Sequence, residues 1–141
     1  MLKIVVDTNV VVSAFLKPYS NPALILALIA QQEVNLCLSK NILTEYQGVF
    51  AYQKFKHLNQ DKVKIFLTQI VQYSVWIEPQ LTVNILKDDP EDNKFLECSL
   101  AAKADFLITG NTKHFPLHSF YHTRMVTPAE FLRYYSKGLL S

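Results

Sequence analysis

The stretch Lys3–Phe15, KIVVDTNVVVSAF, runs apolar sequence straight through a carboxylate at Asp7. Its first part, Leu2 to Val6, is an apolar run interrupted only by Lys3 and reads as a strand covered on both faces. Apolar sequence resumes at Val10 and continues to Phe15 as a short helical stretch. Burying an unpaired carboxylate costs more than any one neighbouring side chain contributes. Asp7 is therefore either a turn residue or a place where something positive meets the chain.

Working outward, the pattern alternates between strand and helix. Asn21 can cap and Pro22 can open a helix running to about Gln32, followed by a strand at Val34–Leu38. Ser39 caps a helix through NILTEYQGVF, Asp61 caps another through KVKIFLTQIVQ, and Ser74–Ile77 reads as a third strand. After the acidic stretch DDPEDN comes a helix through FLECSLAAK, with Asp89 or a neighbour as cap and Pro90 in first position, then a strand at Asp105–Thr109. A weaker strand, RMV, leads to a last helix opened by Thr127, Pro128 and Glu130 as a capping box. Strands separated by helical segments pair in parallel through crossovers, which predicts an open α/β sheet with helices on both faces. Ligands bind such sheets outside the carboxyl ends of the strands. Asp7 ends the first strand, and Thr109 with Asn111 ends the fourth.

The chain's 141 residues are half hydrophobic, enough for one domain over residues 1–141 that folds without metal or disulfide staples. Charged residues make up 18% and glycines number three, so no segment reads as a linker or disordered tail, and no internal repeat is visible. Cys37 and Cys98 sit singly in apolar patterns and read as packing thiols. No signal-peptide pattern opens the chain, and the apolar run Ala23–Ala30 is too short to span a bilayer, so the expectation is a cytoplasmic protein without a membrane partner. A net charge of +2 does not announce a polyanion binder. Basic residues do gather locally, at Lys54, Lys56, His57, Lys62 and Lys64 and again at Lys113, His114, His122 and Arg124. Such clusters permit nucleic-acid contact without requiring it.

Two further carboxylates fall on apolar faces. Glu45 lies three residues after Ile42 and four before Val49, so it borders the buried stripe of its helix. A snorkelling edge residue or a salt bridge to lysine is the plain alternative. Asp92 stands three before Phe95, four before Leu96 and seven before Ser99, which turns it toward the core side from the first turn, while Glu97 falls on the opposite, solvent face. The helix dipole accounts for an acid in the first turn but not for its facing the core. Asp7, Glu45 and Asp92 are three acids that a parallel sheet can bring together, and unneutralised they would raise one another's pKa values. A hard divalent cation resolves the conflict, and all-oxygen ligation suits Mg²⁺ or Mn²⁺ rather than zinc. Metal-activated attack of water on a phosphodiester is the chemistry such a site supports. His114, His118 and His122 recur at four-residue intervals, but Pro116 interrupts the stretch, so a zinc site is disfavoured against a phosphate or substrate contact.

Taken together, VVDTNVVVSAF, SKNILTE, DPEDNKFLECSLAAKADFLITGNTKHF and MVTPAEFL resemble the PIN-domain family, in its branch of VapC-related toxin components, over essentially the whole chain. The resemblance implies a three-layer α/β sandwich with a five-stranded parallel sheet and Mg²⁺- or Mn²⁺-dependent endoribonuclease activity. It assigns Asp7, Glu45 and Asp92 as catalytic metal ligands. Asn9 and Ser13 match the polar residues beside the first acid, where they would fix Asp7 by hydrogen bonds, and Thr109 matches the one ending the fourth strand. Asn111 stands where many members carry a fourth aspartate and is assigned a catalytic place, positioning water or phosphate through its amide. Lys113 and His114 are the expected substrate contacts. RNA as substrate, a cognate antitoxin and a homodimer complete what the resemblance implies.

Two other readings stay open on sequence alone. A catalytically weak module that binds RNA or a protein is favoured by Asn111 and opposed by the three acids. A phospho-accepting α/β domain is suggested by DTNVV, but aspartyl phosphatases expect a second acid where Asn9 stands.

Overall fold

The computed structural model describes residues 1–84, 86, 90–110 and 118–140. Strand β1 (Lys3–Val6) leads directly into helix α1 (Thr8–Leu16), and Asp7 between them is the helix N-cap. Then follow α2 (Asn21–Ala30), β2 (Asn35–Leu38), α3 (Lys40–Phe50), α4 (Gln60–Tyr73) and β3 (Val75–Trp76). A 3₁₀ turn at Pro90–Asp92 precedes α5 (Asn93–Ala102) and β4 (Phe106–Ile108). The chain closes with β5 (Ser119–Phe120), β6 (Thr123–Val126) and α6 (Pro128–Leu140).

The sheet order is β3-β2-β1-β4-β6-β5. All pairings among the first five strands in that order are parallel, as the alternating pattern predicts, and β5 adds an antiparallel sixth strand at the edge. That hairpin was not legible, because two strand residues carry no period. It also takes His122 off any helix: that residue lies in the hairpin's turn, 3.4 Å from the Asp105 carboxylate.

Ile4, Val5 and Val6 are all fully buried, so both faces of β1 are covered. Helix α5 packs across β1, β2 and β4, while α6 lies on β4 and β6 and also meets α2. The chain order reverses at β1, whose neighbours are β2 and β4. This switch point opens a crevice at the carboxyl ends of β1 and β4.

Caps follow local chemistry with small shifts from expectation. Ser39 caps α3 through the Ile42 amide (3.3 Å), and Thr127 and Glu130 exchange the two bonds of a capping box at 2.9 and 3.2 Å. Ser20 rather than Asn21 caps α2, and Asn59 rather than Asp61 caps α4. Pro90 opens the 3₁₀ turn instead of α5, so Asp92 is the N-cap residue of that helix rather than a member of its first turn. Lys103, in the left-handed region at φ 53°, ends α5. Cys37 and Cys98 are free and buried, and burial pushes their thiols up to about 11 and 12. Among the described residues no single helix is long and apolar enough to cross a membrane.

Candidate active site

The sheet register builds the site from its centre. Val6 pairs with Ile108, so the residues that follow, Asp7 and Thr109, sit side by side at the sheet edge. The Asp7 amide donates to the Ile108 carbonyl (2.9 Å), and the Thr109 hydroxyl donates to Asp7 Oδ2 (2.9 Å). The Asn9 backbone N–H reaches Asp7 Oδ1 at 3.4 Å, so Asn9 supports the acid through its main chain while its side chain is exposed. Asp7 is 3% exposed. Burial raises its carboxyl to about 6, against the Thr109 and Asn9 hydrogen bonds, and the negative charges of Asp92 and Glu45 add to the rise.

Glu45 arrives from α3. The next residue, the buried Tyr46, donates its hydroxyl to the Val6 carbonyl and pins α3 to the end of β1. Glu45 itself accepts from the Thr8 hydroxyl and from Lys94 Nζ at 2.6 Å. The salt bridge to lysine that sequence left as an alternative is thus present, and it lies inside the cleft.

Asp92 reaches the same place from the start of α5. Asp7, Glu45 and Asp92 all line one open cleft of about 940 Å³, together with Asn9, Thr44 and Lys94. Its outer wall is tied down by two side chains of α5. Asn93 Oδ1 accepts from the Leu86 amide (3.0 Å), and Glu97 Oε2 accepts from the Val83 amide (3.1 Å). Glu97 was expected in solvent; it is half-buried because the segment before α5 folds back over it.

Ser13 is elsewhere. It lines a separate cavity of about 610 Å³ with Lys17, Ser20 and Thr127. Six residues of helix after Asp7 rotate it well away from the acid, so the hydrogen bond expected between them does not form. Asn111, Lys113 and His114, with Asp88 and Asp89, lie outside the described residues. Thr8, Tyr46 and Lys94 were missed by sequence reasoning. Only Lys94 carried a signal, as a basic residue directly after the acids of DDPEDN.

The donor set fits a hard divalent cation in kind: carboxylate oxygens, hydroxyls and amides, with no sulfur or imidazole among the lining residues. Among the described residues no three His, Cys, Asp or Glu side chains are gathered closely enough to enclose a metal ion. Such an arrangement suits a cation held by few carboxylates, with water completing its shell.

Residues 3–113 match the family model described as PIN domain. The chain is 31% identical to uncharacterized protein MJ1680 of Methanocaldococcus jannaschii, over 96% of this chain and 93% of that protein. The fold is similar to a chain of the crystal structure of VapBC2 from Rickettsia felis bound to a DNA fragment from their promoter. There the TM-score is 0.56 and the identity 20%, over 89% of this chain and 98% of the other.

Proposed function

Because the chain belongs to the PIN domain family, we propose that it is a metal-dependent endoribonuclease, hydrolysing RNA phosphodiester bonds as the toxin of a toxin–antitoxin pair. The family generally uses divalent metal ions. The observation that carries the reading is the convergence of Asp7, Glu45 and Asp92 on one cleft at the switch point of the sheet. Three acids there, one of them buried with its carboxyl raised to about 6, form a site short of positive charge.

Asp7 and Asp92 would hold Mg²⁺ or Mn²⁺, with Glu45 as the third ligand once it exchanges Lys94 for the ion. When bound, the cation supplies a nucleophilic water at neutral pH and stabilises charge developing on the phosphate. The chain's own contributions are positional. Thr109 and the Asn9 amide keep both Asp7 oxygens oriented, and Tyr46 fixes the depth of α3. Lys94 holds Glu45 in place through their 2.6 Å ion pair, and its ammonium, inside the cleft, could contact a phosphate oxygen. Asn111 would position water or phosphate, and Lys113 and His114 would contact the RNA backbone. An antitoxin covering the cleft and a homodimer are part of the same reading, as the family resemblance implies.

The test is cleavage of a mixed RNA pool with Mn²⁺ or Mg²⁺ by wild type, Asp7→Asn and Asp92→Asn. Cleavage by wild type alone is expected; equal cleavage by all three, or none under any metal, removes the mechanism. One observation favours a second reading, a binding module with little chemistry: the Glu45 carboxylate is already engaged by Thr8 and Lys94. RNA binding by wild type without cleavage would select it.

A further inference from the structure

Helix α3 presents one continuous face to the cleft. Asn41, Thr44, Glu45, Gly48 and Val49 line it, and Tyr52 extends the row just past the helix end. These positions recur at three- and four-residue intervals, so they form a single stripe beginning beside the acids and ending at an aromatic ring. Two residues on that stripe are out of place for a face that serves the fold alone.

Gly48 is the first. Glycine is among the poorest residues for a helix interior, and it is retained where the backbone needs a positive φ, where space is short, or where a ligand approaches closely. Gly48 does not have a positive φ, and a Cβ built on it would meet nothing within 4 Å. Neither backbone nor packing asks for glycine there, and the position faces the open cleft. Tyr52 is the second: it is 58% exposed on the cleft rim. It is followed at once by exposed Lys54, Lys56 and His57, with the Lys54 ammonium 5.0 Å from the Phe55 ring. The seven residues from Glu45 to Tyr52 correspond to about 10 Å along a helix axis. A phosphate at the acids would leave a nearby nucleotide base within reach of the Tyr52 ring.

We propose that this stripe is the binding track for single-stranded RNA leaving the acid centre, with the strand passing over the bare backbone at Gly48 and one base stacking on Tyr52. The inference rests on the nuclease reading above and adds the subsite that holds the substrate. Stacking on an aromatic ring tolerates any base, and the lysines beyond it take the backbone charge that the acid-lined cleft repels. The track therefore grips the strand by a base where phosphate contacts are unfavourable.

The test uses the full chain carrying Asp7→Asn to silence cleavage, with fluorescently labelled single-stranded RNA oligonucleotides read by anisotropy. Tyr52→Ala is expected to weaken binding about 5- to 100-fold, whereas Tyr52→Phe and Tyr52→Trp retain it. Gly48→Leu, whose side chain projects into the track, is expected to weaken binding with no loss in thermal unfolding temperature. Unchanged RNA affinity in Tyr52→Ala overturns the proposal, as it would if the groove received a partner protein's segment instead. So does a Tyr52→Phe variant as weak as Tyr52→Ala, because the ring then does not carry the contact. Failure of the Asp7→Asn parent to bind RNA at all would remove the nuclease reading together with the track, an outcome distinct from a Tyr52 variant that binds normally.

Discussion

Asp7 is oriented by the Thr109 hydroxyl and the Asn9 amide, yet burial still leaves its carboxyl at about 6 against an ordinary value of 3.8. A carboxyl raised in the folded state favours folding when it is protonated, and that contribution is lost as pH climbs from about 4 through about 6. At about 1.4 kcal/mol per unit, ionised Asp7 lowers the stability of the metal-free protein by about 3 kcal/mol at neutral pH. With EDTA present, the unfolding temperature should rise as pH falls from 7.5 to 5, and Asp7→Asn should remove most of that slope; an equal slope in both proteins would assign it to other groups. Lys94 makes a second prediction at this scale. Its ion pair with Glu45 is half-buried, so Lys94→Ala should cost about 1 kcal/mol in denaturant titrations with EDTA. Saturating Mn²⁺ should shrink that loss, because the ion then takes over the counter-charge, and an identical loss in both conditions would separate Lys94 from the metal. The sequence set Asp7 inside an apolar run, Glu45 beside an apolar stripe and Asp92 at helical spacing from Phe95 and Leu96, and all three line the cleft. The roles of Thr8 and Lys94 beside Glu45 were not legible, beyond the place of Lys94 after the acids of DDPEDN, since their partner is 37 and 49 residues away and only the folded sheet brings them to it.

At the scale of the element, α3 shows why boundaries were read well where local chemistry sets them. Ser39 follows the buried end of β2, its hydroxyl accepts the Ile42 amide, and the helix it starts carries Glu45, Tyr46 and Gly48. Ser39→Ala should cost about 1 kcal/mol of stability and Ser39→Gly less, measured by urea unfolding. Equal losses would mean that the buried hydroxyl matters for packing rather than capping. Elements were misread where two devices compete. Ahead of α5, Pro90 suits a first helical position, but the chain takes a tighter 3₁₀ turn there. That turn advances each residue by more than an α-helix does, so the helical spacing that set Asp92 against Phe95 and Leu96 holds only loosely. Ser13 failed for the opposite reason: α1 is regular, and six residues of regular helix carry a side chain away from its starting point.

For the molecule as a whole, the parallel sheet and the strand ends that carry Asp7 and Thr109 were legible because continuous apolar strands alternating with capped helices admit few other topologies; the strand order that puts the switch point at β1 was not. The short antiparallel β5 and the folded-back wall held by Asn93 and Glu97 were not, since both depend on contacts made after the layers assemble. The switch point also makes the whole fold answer to what binds there. It joins β1, α3 and the start of α5, so a ligand that satisfies the three acids ties together segments far apart in sequence. A cation that binds the folded chain and not the unfolded one stabilises it by about 2.7 kcal/mol at a hundred times its dissociation constant. For a domain near this size that corresponds to an unfolding temperature higher by roughly 5–10 °C. Titrating Mn²⁺ or Mg²⁺ into chelator-treated protein should therefore raise the transition progressively in wild type. Asp7→Asn and Asp92→Asn should start from their own metal-free values and move little. A rise of equal size in all three would place the ion away from these acids, and the reading of the cleft as a metal-dependent centre would fall even if the chain bound RNA.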